Sequence, residues 1–173
     1  MKLLLKLTSI ISLFIFTNLN ALSVEEVLKE NIQNVSKVVK TKIIISKKEL
    51  IFVKKEAKVA LKTRLYRMYK VKNQEKILGY GILITRKVRT KKATALYYIN
   101  TKGILEFTQI LAFLEPPEFK PNKKWMTQFQ NVEPKRVLKL GRDIPTISGA
   151  TLSARNVAQG ARIARAIFKV KYQ

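Results

Sequence analysis

Between Asp143 and Arg155 the chain reads DIPTISGATLSAR, and this stretch holds the residues best suited to chemistry. Three hydroxyls, on Ser148, Thr151 and Ser153, surround Gly149 and Ala150. The apolar spacing that follows predicts a helix over 152–169, with Val157, Ala161, Ala164 and Phe168 on one face and Ile163 and Ile167 at its edge. A helix N-terminus presents free N–H groups and a positive dipole end, and so attracts an anion. Most helices supply one with an acidic side chain in the first turn. Here the helix carries Arg155, Arg162, Arg165 and Lys169 instead. Gly149 and Ala150 leave room for a ligand to approach the backbone. The residue types therefore describe a phosphate cradle with the Thr151 hydroxyl at its centre. A plainer alternative stands beside it: Thr151 or Ser153 is an ordinary N-cap and Gly149 a loop residue.

The 173-residue chain contains neither cysteine nor histidine. That excludes thiolate and imidazole metal sites, haem attachment through cysteine, and every catalytic triad built on His or Cys. Redox chemistry would have to come from a bound organic cofactor. Residues 1–23 read as a secretory signal: Lys2 and Lys6 precede an apolar core over 7–16, and Ala21 to Ser23 is an acceptable cleavage site. A retained anchor is the alternative. No cysteine follows the core to carry a lipid. Export implies a periplasmic or secreted protein, and membrane association is open.

The formal net charge is +24, and only Lys2 and Lys6 of it would leave with the signal. Such a field suits an acidic protein partner or an anionic membrane surface. Nucleic acid is not expected as a partner outside the cytoplasm. Lysine as surface filler, keeping a strand-rich domain soluble and blunting sheet edges, is the plain alternative.

The elements that position the cradle read as one α+β domain with an antiparallel sheet and a C-terminal helix. Residues 24–74 supply an N-terminal helix and strands, and residues 75–173 the remainder of the same unit. Helical spacing runs over 24–40. A strand pair is expected over 42–46 and 49–53, then a short helical turn over 56–63. A meander follows over 64–71, 77–85, 93–99 and 104–113, with a turn at Asn100 to Gly103. Gly79 and Gly81 mark a bulge or a close approach of backbone or ligand. Tyr97 and Tyr98 alternate along a strand, so one alone is expected in the core. Residues 121–136, with Trp125, read as irregular or briefly helical.

Asp143 with Ser148-Gly149-Ala150-Thr151, Leu152 and Ser153 resembles the flavinylation motif of the FMN-binding domain. That domain occurs in the C and G subunits of sodium-pumping NADH:quinone reductase and Rnf complexes. The family pattern is an acidic residue, variable positions, Ser/Thr-Gly-Ala-Thr, a variable residue and Ser/Thr. The Gly79-Tyr80-Gly81 strand, the hairpin around 100–103, Glu115-Pro116-Pro117 and the aromatics Trp125 and Phe129 extend the resemblance over about 75–170. It implies FMN held covalently on Thr151 through a phosphodiester. It also implies a magnesium-dependent flavin transferase as partner, with FAD as donor and AMP released. Pro116 and Glu118-Phe119 depart from the family's Glu-Thr-Pro-Gly-Leu loop, where the flavin ring would be held.

What the resemblance implies is an exported electron carrier between membrane or periplasmic redox partners, and not an enzyme in its own right. The cofactor-binding residues would be Thr151, Ser148, Gly149, Ala150, Leu152 and Ser153. Trp125 is a candidate ring neighbour or a core residue. Glu115 is a bond to the ring or ribityl chain, or a surface carboxylate. Asp143 orients the motif, binds the transferase's metal, or forms a turn. Two other functions stay open: a flavin-dependent reductase of a small acceptor, and a basic binding module that has lost flavin.

Overall fold

The computed structural model describes residues 23–173. The signal expected over 1–23 lies outside these residues apart from Ser23. The elements run α1 (Val24–Asn31), β1 (Lys37–Ile44), α2 (Lys47–Ala57), β2 (Leu65–Asn73), β3 (Lys76–Lys87), β4 (Lys92–Asn100), β5 (Leu105–Phe113), a short α3 (Lys123–Met126) and α4 (Thr151–Tyr172). The five strands pair in chain order, each antiparallel to its neighbour. β1 joins the sheet through β2, so residues 24–74 and 75–173 share one sheet in an α+β fold.

Two N-terminal elements differ from the sequence expectation. The helix expected to reach Lys40 ends at Asn31, where Ile32 turns extended. Asn34 takes a left-handed turn (φ 58°), and the β-branched Val38 and Val39 then enter β1. Residues 49–53, expected as a strand, lie inside α2. Ser46 Oγ accepts from Glu49 N while Glu49 returns its carboxylate to Ser46 N, at 3.2 and 2.6 Å. That reciprocal cap satisfies two orphan donors and starts a helix where apolar content alone suggests a strand. The turn expected over 56–63 is only the end of α2, stopped by Lys58 in the left-handed region (φ 50°).

Both faces of the sheet are covered. α1 lays Val27 and Leu28 on one face, against Tyr69, Val71, Leu96 and Tyr98. α4, α2 and the 125–144 segment cover the other, around Ile82, Tyr97, Ile99 and Phe129. Tyr97 and Tyr98 are therefore both buried, contrary to the expectation of one. The Gly79 position is explained by packing. A Cβ there would lie 2.5 Å from the Ile99 carbonyl and 2.6 Å from the Tyr98 hydroxyl. The pairing of β2 with β3 slips beside it, at Val71 and Lys72.

The position of α4 is set by one close contact. Tyr97 Oη donates to the Val157 carbonyl at 3.0 Å, and Gly160 lies directly over the tyrosine ring, leaving no room for a Cβ. α2 also packs on α4, and Ala154, Ala158 and Ala166 are buried in addition to the expected face with Ile163 and Ile167 at its edge. Polar bonds fix its N-terminal half to the end of β3: Arg86 Nη2 donates to Gln159 Oε1 at 2.6 Å, and Asn156 Nδ2 to the Lys87 carbonyl at 2.9 Å.

Replacing Gly160 with Ala should overpack this contact and cost about 1–3 kcal/mol, although Ala is the better helix former by about 1 kcal/mol. Tyr97→Phe should cost about 1 kcal/mol for the lost bond. Urea unfolding of both single variants and the double should show costs that do not add. A neutral or stabilising Gly160→Ala would contradict the close approach.

Candidate functional site

The motif arrives at α4 along a braced segment. Trp125 Nε1 donates to the Pro145 carbonyl at 2.9 Å. Arg136 Nη2 donates to the Asp143 carbonyl at 2.6 Å, and Arg165 Nη1 of α4 donates to the Arg136 carbonyl at 2.6 Å. The Asp143 carboxylate accepts from Lys139 N at 2.9 Å and faces the Arg142 guanidinium at 3.3 Å. These bonds, that from Lys139 foremost, lower its pKa. Asp143 thus closes the turn before the motif.

Gly149 adopts φ +74°, a conformation that costs glycine little and other residues more. Ala150 occupies the N-cap of α4 and supplies no side-chain cap, and the first turn contains no acid. Thr151 is the first helical residue. It is half-buried, and its Oγ1 donates to the Ile147 carbonyl at 3.2 Å. That bond orients the hydroxyl proton and leaves the oxygen lone pairs facing away from it. Neither Thr151 nor Ser153 caps the helix.

A shallow hollow of about 250 Å³ opens at this terminus, lined by Gly149 to Ser153 with Arg89 and Phe119. Ser153 is 2% exposed, and its Oγ has no hydrogen-bond partner among the described residues. A buried hydroxyl of that kind ordinarily has a partner. Leu152, 41% exposed, stands at the rim. Ser148 is exposed beside it and is not part of the lining.

Arg89 and Phe119 are the two lining residues not singled out in the sequence. The Arg89 guanidinium lies over the Phe119 ring, 4.9 Å from its centroid. Glu115 holds this arrangement together. Its Oε1 accepts from the backbone N–H groups of Arg89, Thr90 and Lys91 at 2.9, 2.7 and 2.7 Å, and Oε2 accepts from the Thr90 hydroxyl. The carboxylate is thus occupied by the turn between β3 and β4. It does not line the hollow, but it positions Arg89, which does. Trp125 does not line it either. Its indole is buried against Phe129, with ring centroids 5.3 Å apart, and its N–H braces Pro145. Arg155 is exposed outside the lining.

The hollow suits a phosphate. It combines an uncapped helix N-terminus, the orphaned Ser153 hydroxyl, a glycine with open space at its Cβ position and one arginine. Pockets that engulf a small organic ligand run to roughly 300–1,000 Å³. This one, at about 250 Å³, has room for a phosphate-sized anion but not for a larger organic group. No family model and no curated protein matches the chain.

The pKa of Glu115 is held down to about 2 by its backbone bonds, that from Lys91 foremost, against burial, which raises it. A folded-state pKa below the ordinary carboxylate value of about 4.3 gives stabilisation that is full above about pH 5 and lost as pH falls towards 2. Glu115→Gln should therefore be less stable than wild type at neutral pH. The gap in urea midpoint should close between about pH 5 and pH 2. A gap independent of pH would refute the role given to the carboxylate.

Proposed function

We propose that this chain is an exported flavoprotein which carries FMN covalently on Thr151 through a phosphodiester and relays electrons between redox partners. The observation that carries the reading is the conjunction, at one helix N-terminus, of the Ser-Gly-Ala-Thr sequence with an orphaned buried hydroxyl and no acid to neutralise the dipole.

In the attachment step a flavin transferase brings FAD and magnesium. Thr151 Oγ1 attacks the phosphorus on the FMN side of the pyrophosphate. The new O–P bond forms as the anhydride bond breaks, AMP leaves, and the hydroxyl proton passes to a base of the transferase. The chain is the substrate of this reaction. The diester keeps one negative charge. The N–H groups at the start of α4 and Arg89 are its available partners, with the Ser153 hydroxyl buried behind them. Phe119, stacked with Arg89, is the aromatic that lines the hollow and serves as the ring neighbour in place of Trp125. Once bound, the flavin supplies the one- and two-electron chemistry that a chain without Cys and His lacks. A covalent link also retains the cofactor outside the cell, where the hollow alone would bury little of it.

The charge supplies the docking term. Lys37, Lys40 and Lys42 lie exposed along β1, which among the described residues pairs on one side only. An acidic redox partner or an anionic membrane surface would be attracted from a distance. Among the described residues no helix is long and apolar enough to cross a membrane.

The test is intact-mass analysis after co-expression with and without a flavin transferase, for wild type and Thr151→Val. Wild type should gain FMN less one water only with the transferase, and Thr151→Val should gain nothing. An unmodified wild type beside a flavinylated control would overturn the proposal and favour a basic binding module. For the flavinylated protein, association with its partner surface should weaken steeply as salt rises from about 0.01 to 0.15 M. Salt-independent binding would exclude electrostatic docking.

A further inference from the structure

A second cavity, of about 320 Å³, lies towards the other end of α4, between the end of α2, the 134–137 segment and the turn at Gly103. Six cations line it: Lys58, Lys135, Arg136, Arg162, Arg165 and Lys169. Glu56 is the one acidic side chain in the lining, and Lys169 already holds it at 2.9 Å. Thr151 and Arg162 are eleven residues apart on one helix, roughly 16 Å along its axis. This cavity is therefore separate from the hollow at Thr151.

Two of these cations, Arg136 and Arg165, are held in place by neutral groups. Arg165 is anchored by the Arg136 carbonyl, and Arg136 by the carbonyls of Gln128 and Asp143. Carbonyls orient a guanidinium without cancelling its charge. Arg162 is less satisfied still: its Nε is buried and has no partner among the described residues. Lys58 is itself the left-handed residue that stops α2. Like charges gathered at a cavity repel one another and destabilise the folded chain unless an anion joins them. Guanidinium forks match the oxygens of phosphate in pairs, and lysines add point charge.

We propose that this cavity is a binding site for a small, multiply charged phosphate anion, contacted by Arg162 and Lys58 and framed by Arg136 and Arg165. The site is independent of flavin attachment at Thr151, and binding there would stabilise the fold by mass action.

The test is calorimetric titration of Thr151→Val, which removes the attachment hydroxyl, with inorganic pyrophosphate at low salt. Three proteins are compared: this parent, the parent with Arg162→Gln and Lys58→Asn, and the parent with Lys40→Gln and Lys42→Gln. Asn at 58 tolerates the left-handed backbone. Both double changes remove two positive charges. Lys40 and Lys42 share the α1 side of the sheet with Val38, away from the cavity. Expected is saturable 1:1 binding, weakened at least tenfold by the Arg162/Lys58 pair and less than threefold by the Lys40/Lys42 pair. Thermal unfolding without ligand should show both variants folded. Should the Arg162/Lys58 variant not fold, Arg162→Lys alone must weaken pyrophosphate binding at unchanged net charge. No saturable binding, equal weakening by both pairs, or an unaffected Arg162→Lys would each overturn the proposal.

Discussion

The contact between Tyr97 and Gly160 is the constraint on which the remainder of the molecule rests. A helix residue with any side chain at position 160 would stand off from β4. With glycine there, the Tyr97 hydroxyl reaches the Val157 carbonyl and α4 lies close on the sheet. That fixes the height of the helix. Asn156 and Gln159 then meet the end of β3 and fix its rotation. The first turn of α4 consequently ends beside the turn between β3 and β4, whose tip Glu115 holds by three N–H bonds. Arg89 is delivered to Thr151 by packing that begins more than two helical turns away.

A strongly basic chain must place its cations without enough acids to pair them. Part of the solution is ordinary: exposed lysines stay in solvent and line β1, an edge strand among the described residues, where charge discourages pairing with another strand. The arginines are handled differently. Arg86, Arg136 and Arg165 donate to amide or backbone oxygens, and burial lowers the pKa values of Arg86, Arg162 and Arg165. Guanidinium tolerates this because it stays charged over any physiological pH and is weakly hydrated. The result is a helix with uncompensated positive potential at its start and along its later turns. Both regions favour anions, for different reasons: free N–H groups at Thr151 and clustered side chains at Arg162.

Much of this was legible in the sequence, and the failures have local causes. The long α4 follows from 3.6-residue spacing, which its burial preserves, and the meander from β2 to β5 follows from apolar runs between turn signals, buried on both faces in β3 and β4. α2 was missed because Leu50, Ile51, Phe52 and Val53 form a continuous apolar run, which suits a buried strand. The decisive signal was the Ser46 and Glu49 pair, a capping box whose partners stand three positions apart. α1 was overextended because Val35 and Val39 fit a helical face as well as they fit a strand. The burial of both Tyr97 and Tyr98 was not legible, because the second covering layer, α1, is a tertiary fact. At the site, the hydroxyls and glycine were visible as a motif. Arg89 and Phe119 were not, since each reaches the hollow from a different loop. The sequence signals were a basic turn and an aromatic where the resembling family has Gly-Leu.

The reading centres on a single bond at Thr151, and the most direct measurement is the mass of the peptide that contains it. Trypsin cleaving after Arg142 and Arg155 releases 143–155 intact from protein purified from the cells that make it. Expected is that peptide carrying FMN less one water, with fragment ions placing the added mass on Thr151. Recovery of the peptide unmodified, or modified at Ser148 or Ser153 instead, would contradict the assignment.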